Sequence, residues 1–167
     1  MKKIDKSDVM IVISTFIGAV IAFVLYVQKF IENNMELSKE LNRLYETMEV
    51  NEGMQKYLLI GIAIFIATVH IIVGFIINKL IFKVIKIKDV DETKLFISTG
   101  ISYILVFLVG MFLTGVKLGV FGVITLNLLE VVVFVNMEKD ELKGKFKGYM
   151  LCKLVLICGN IITYFFS

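Results

Sequence analysis

The chain has no proline and no tryptophan, one histidine (His70), one arginine (Arg43) and only two cysteines, Cys152 and Cys158. The histidine and cysteine counts each remove a class of function. A metal centre needs three or four suitable ligands, and a lone histidine with no HExxH pair and no acidic cluster in the apolar runs excludes metalloprotease chemistry. The cysteines stand six apart in one apolar run, which turns their side chains about 120° from each other on a helix, so they cannot bond to one another there. Nothing beside them activates a thiol for hydrolysis with His70. A GxSxG turn for serine chemistry and a glycine-rich phosphate loop are also missing. No catalytic residue, metal ligand or cofactor is therefore assigned, and the chain reads as a non-enzyme. Its net charge is only +3, with lysines spread among the loops, which sets nucleic acid aside as a partner.

What the sequence does have is hydrocarbon. Hydrophobic residues make up 58% of the 167, and the mean hydropathy is +0.88. Soluble domains hold about 45–50% apolar residues. The excess falls into runs at 9–30, 57–78, 95–116, 119–137 and 149–166, each near the roughly 20 residues that a helix needs to cross a bilayer. The third and fourth runs are divided by a tight hairpin at GVKLG, where Gly115 and Gly119 permit reversal and Lys117 marks the water boundary. Undivided, they would make a helix of about 64 Å, twice the hydrocarbon thickness. The first run follows a basic leader but is longer than a signal-peptide core and has no small-residue cleavage site, so it reads as an uncleaved anchor. The expected fold is all-α: a single polytopic membrane bundle, residues 1–167, of five transmembrane helices.

Thirteen of the eighteen basic residues fall on one side when the N-terminus is cytoplasmic. The positive-inside rule then predicts that orientation, with an exoplasmic C-terminus in the plasma membrane. The exoplasmic loop, 31–56, carries Leu37, Leu41, Leu44 and Met48 at 4-3-4 spacing. That spacing predicts an amphipathic helix, ended by Gly53, whose apolar stripe either lies on the bundle or receives an exoplasmic partner. The loop KLIFKVIKIKDVDETK alternates lysine with Phe, Val and Ile and is expected at the cytoplasmic interface, its lysines toward anionic head groups. Asp91 and Glu92 suit the start of the helix that follows.

The run ITLNLLEVVVFVN buries the carboxylate Glu130 among Leu and Val. An ionised acid near mid-bilayer costs several kcal/mol, so Glu130 should face the bundle interior and have a partner or a proton. Counting about 1.5 Å per residue from each cytoplasmic end brings Glu130, His70, Ser102, Tyr103 and the Ser14–Thr15 pair to one level, with Lys153 slightly below and Asn127 one turn from Glu130. His70 and Lys153 are the expected partners of Glu130. The polar belt can join helices by interhelical hydrogen bonds, or it can be a proton or ion relay built on His70 and Glu130.

Five spans, a cytoplasmic N-terminus, a short third-to-fourth hairpin, the segments IATVHIIVGFIINK and TKLFISTGISYILVFLVG, and the exoplasmic stretch NMELSKELNRLYETMEV together resemble the Yip family of membrane proteins. That family takes its name from Rab-GTPase-interacting members and is widespread in bacteria. The resemblance implies a non-enzymatic bundle that accompanies other membrane proteins, in bacteria including ABC exporters and toxin-resistance systems. Seventeen lysines to one arginine and abundant isoleucine point to a bacterial chain. The expected function is an accessory or adaptor subunit of an ABC-type export or toxin-resistance complex. Its partners would be the lipid bilayer and a transporter permease or a second copy. The alternatives are a small ion- or proton-coupled transporter or channel using His70 and Glu130, and an immunity protein that binds a toxin in the bilayer.

Overall fold

The structure, a computed structural model, describes residues 6–86, 90–112, 119–137 and 146–166. Among these, the chain forms helices α1 (Lys6–Asn33), α2 (Met35–Thr47), α3 (Glu52–Val84), α4 (Glu92–Phe112), α5 (Gly119–Met137) and α6 (Phe146–Phe166), and no strand. Ile and Val are rich in these segments, and in water they would favour strands. In hydrocarbon every N–H and C=O must be satisfied within the segment, and a helix does that by itself. Helices α1, α3 and α4 are long and apolar enough to cross a membrane, and α5 contains a shorter apolar stretch, Gly122–Asn136. Met10, Ile13, Ile17, Ile21 and Leu25 form an exposed stripe along α1, and α3 exposes Phe65, Ile72 and Ile76. An outer surface this apolar suits lipid, as soluble proteins rarely expose such continuous patches.

Helix α4 is the hub, packing on α1, α3 and α5, while α6 packs chiefly on α5. Residue pairings give the directions. Thr15 meets Gly100 and Gly18 meets Ile104, so α1 and α4 run parallel. Asn78 meets Thr99 and Gly74 meets Tyr103, so α3 is antiparallel to α4. Glu130 meets Lys153 and Phe134 meets Tyr149, so α6 is antiparallel to α5. The α1–α4 contact is close: a Cβ on Gly100 would stand 2.5 Å from Thr15 Cγ2, so glycine here makes room for the threonine methyl against α4.

Two cores result. Near the α3–α4 end, Ile81, Phe82, Leu95, Val131, Phe134 and Tyr149 pack together. Toward the α2 end, Ala19, Ala22, Ile71, Tyr103 and Phe107 do so.

The connections differ from the sequence expectation in three places. Gly53 does not end α2; it lies in the first turn of α3. Instead Glu49 adopts φ 53°, and the amides of Glu49 and Val50 bond back to Glu46 O and Tyr45 O, closing the helix in a Schellman turn. Asn34 then caps the start of α2, its side chain accepting from Leu37 N at 3.1 Å, and Asn51 caps α3 in the same way from Met54 N at 2.9 Å.

The packed face of α2, which rests on α1, is also rotated. Tyr45 is its buried residue, Leu37 and Leu41 are half-buried, and Leu44 and Met48 are exposed. The larger ring, with more apolar area to hide, is the side chain that α2 buries.

Finally, KLIFKV is a continuation of α3 and no interfacial loop, because Ile81 and Phe82 find apolar partners within the bundle. Asp91 caps α4, accepting from Thr93 N at 3.0 Å and Lys94 N at 3.3 Å, and Glu92 pairs with Lys79 at 2.7 Å. Most of the expected GVKLG hairpin falls within 113–118, outside the described residues.

Candidate functional site: a buried ion pair beneath a crevice

Glu130 on α5 and Lys153 on α6 face each other across the antiparallel pair and form a salt bridge, each residue 3% exposed. Lys153 donates a second hydrogen bond, 3.2 Å, to Asn127 Oδ1, and Asn127 Nδ2 donates to Val123 O at 2.8 Å. Asn127 stands one helical turn from Glu130, so a single face of α5 offers two acceptors to one ammonium. From α3, Asn78 donates to Thr99 Oγ1 at 3.0 Å, and its amide is also a hydrogen-bond neighbour of the Glu130 carboxylate. Breaking such a pair by removing one partner strands a charge in a medium that cannot solvate it.

Aromatic rings seal the site on the α3–α4 side. Tyr149 stacks on Phe82 with ring centroids 4.7 Å apart, Phe82 lies 5.0 Å from Phe134, and the Lys153 ammonium sits 5.8 Å from the Tyr149 centroid. Two buried polar atoms here, Asn78 Oδ1 and the Tyr149 hydroxyl, have no hydrogen-bond partner among the described residues.

On the other side of the ion pair the bundle opens. Helices α3 and α5 both pack against α4 in this region but share no extensive interface among the described residues. The gap between them is a crevice of about 540 Å³ that all five long helices line. Tyr103, Val106 and Phe107 of α4 form its floor, Phe23 and Tyr26 of α1 close one flank, and Glu130 and Lys153 stand at its base.

The sequence-predicted belt therefore divides. Glu130, Lys153 and Asn127 meet directly. Ser102 and Tyr103 are buried on α4, but their hydroxyls go to backbone: Ser102 to Ser98 O at 2.8 Å and Tyr103 to His70 O at 3.1 Å. Thr15 packs on Gly100, and Ser14 is exposed. His70 is not the partner of Glu130. Its ring lies at the margin of the crevice, stacked near Phe23 at 6.4 Å, with Nδ1 3.0 Å from Ile66 O on its own helix. A carbonyl can only accept, so that nitrogen carries a proton.

The displacement has a plain cause. Hydropathy drops at Asn78–Lys79, and that is where the sequence reading places the end of the span. The helix continues six residues to Val84, so Asn78 is level with Glu130, and His70, eight residues earlier, lies about 12 Å nearer the α2 end. Thr99 is not singled out by the sequence, and Asn78, which by sequence only flanks His70, is the α3 residue that bonds to Thr99. The apolar Leu80–Ile81–Phe82 beyond Lys79 was the signal for them.

Leu44 and Met48 remain exposed on α2, while Leu37 and Leu41 lean on the bundle. Cys152 is half-buried against the aromatic core, Cys158 is exposed, and both are free thiols. Among the described residues no three His, Cys, Asp or Glu side chains gather to hold a metal ion. Chemically, the site is a neutral pair of opposite charges with one lysine N–H beyond the two already used, set at the end of an apolar cleft. Comparison of the chain with models of known families, with curated proteins and with solved structures finds no match.

Proposed function

We propose that the protein is a non-enzymatic accessory or adaptor subunit of a bacterial plasma membrane. In this reading five helices, α1, α3, α4, α5 and α6, cross the bilayer with the N-terminus cytoplasmic and α2 exoplasmic. It works by helix packing with a larger membrane protein, such as the permease of an ABC-type exporter or a toxin-resistance complex. The observation that carries this reading is the direct pairing of the two buried charges. Glu130, Lys153 and Asn127 satisfy one another, and His70 bonds to its own helix. A relay needs connected groups that exchange protons, whereas opposite charges paired across two helices serve to hold them together. The resemblance to the Yip family points the same way. So do Leu44 and Met48, apolar and exposed on a charged helix.

The test is purification in mild detergent from the native membrane, with identification of the co-purifying integral membrane protein. Wild type should retain that protein in fixed ratio, and Leu44→Asp with Met48→Asp should release it while leaving the chain folded. A single small-ion or proton transporter is the second reading, favoured by the crevice that reaches Glu130 and Lys153. Proteoliposome flux that is present in wild type and absent in Glu130→Gln would establish that second reading and remove the first.

A further inference from the structure

Cavities of about 300–1,000 Å³ with mostly apolar walls and few polar groups are characteristic of small-molecule sites. The crevice between α3 and α5 has this size and character, at about 540 Å³. Its rim on α3, Val69, Val73 and Ile77, is exposed, so it opens sideways between helices and not only along the bundle axis. In a bilayer such an opening faces lipid. We propose that the crevice binds an uncharged amphiphile drawn from the membrane: an apolar chain or ring with one hydrogen-bond-accepting head, a hydroxyl or carbonyl, placed at Lys153.

The electrostatics select the head. Lys153 has three N–H donors, and Glu130 and Asn127 take two of them. The third can serve an incoming oxygen. A carboxylate or phosphate head would compete with Glu130 for the same ammonium and leave one anion unpaired in hydrocarbon. An ammonium head would do the same to Lys153. Either cost exceeds a hydrogen bond between a neutral oxygen and a lysine already neutralised. The walls select the body: Phe23, Phe107 and Val106 offer only apolar contact. This inference does not depend on the adaptor reading, because binding is measured on the isolated chain.

The experiment uses the full chain in lipid nanodiscs with a photoreactive hexadecanol. Saturable labelling of peptides from α3 and α4 is expected. Unlabelled hexadecanol should compete at least about tenfold better than hexadecanoate or hexadecylamine, the loss expected when a buried charge has no partner. Val73→Trp, an outward residue at the rim, should block entry and reduce labelling by a similar factor. The pair Glu130→Gln with Lys153→Met, which removes the donor without stranding a charge, should weaken hexadecanol competition as well. Labelling that never saturates, equal competition by the charged analogues, or indifference to both variants would overturn the proposal. The competition series needs only wild-type protein and decides the matter even if a variant fails to fold.

Discussion

The two ends of the bundle use aromatic residues in opposite ways. At the α3–α4 end, Phe82, Phe134 and Tyr149 come from three different helices and fill the space between them. Toward the α2 end, Phe23, Tyr26 and Phe107 pair α1 with α4, with centroids 4.9 Å apart for Phe23 and Phe107. Among the described residues, α5 lines the gap there with Gly122, Val123 and Leu126, beside Asn127 and Glu130. Small and medium side chains cannot bridge a space that three rings close elsewhere. Among the described residues, rings from three helices make one level of the bundle a core, the level lined by these smaller α5 side chains is a crevice, and the ion pair marks the boundary between them.

The largest effect should come at that boundary. Lys153→Ala strands Glu130 and should cost about 3–5 kcal/mol, measured by denaturant unfolding in micelles; adding Glu130→Gln should recover much of the loss. If the single variant unfolds like wild type, the pair does not hold α5 to α6. Next, Phe134→Ala should cost about 3–5 kcal/mol by opening a cavity in a sealed core. Phe107→Ala, which merely enlarges an existing opening, should cost clearly less, and equal losses would erase the distinction between the two ends.

Gly100→Ala forces a methyl onto Thr15 and should cost about 1–3 kcal/mol. Thr15→Ala removes the opposing Cγ2 and should restore stability in the double variant, a pattern that identifies the α1–α4 approach as the cause. The smallest change belongs to His70→Ala, within about 0.5 kcal/mol, because an exposed ring bonded to its own helix contributes little across the bundle.

The sequence made the helical class legible, along with the start of α4 at Asp91–Glu92 and Lys153 as one of the two partners expected for Glu130. Those features follow from hydrophobic run length, dipole preference and the cost of a buried acid, all of which act locally or leave few solutions. His70 lies off the expected level because depth counting inherits any error in where a helix ends, and Lys79 resembles a boundary although its side chain only reaches outward to Glu92. The sequence does not identify Tyr45 as the packed residue of α2 because a leucine stripe and a tyrosine one position away predict faces only about 100° apart. The crevice was not legible at all, since a gap depends on which helices fail to touch, and no local pattern encodes that.

The Glu130–Lys153 pair also bears on biogenesis. If, as proposed, α5 and α6 both span the bilayer, each carries a charge that, presented alone, costs about 2.5–3.5 kcal/mol on membrane insertion. Cancelling those charges against each other before or during entry would then make the helix pair the unit of insertion. The last helix would then reach the bilayer only in the company of the one before it.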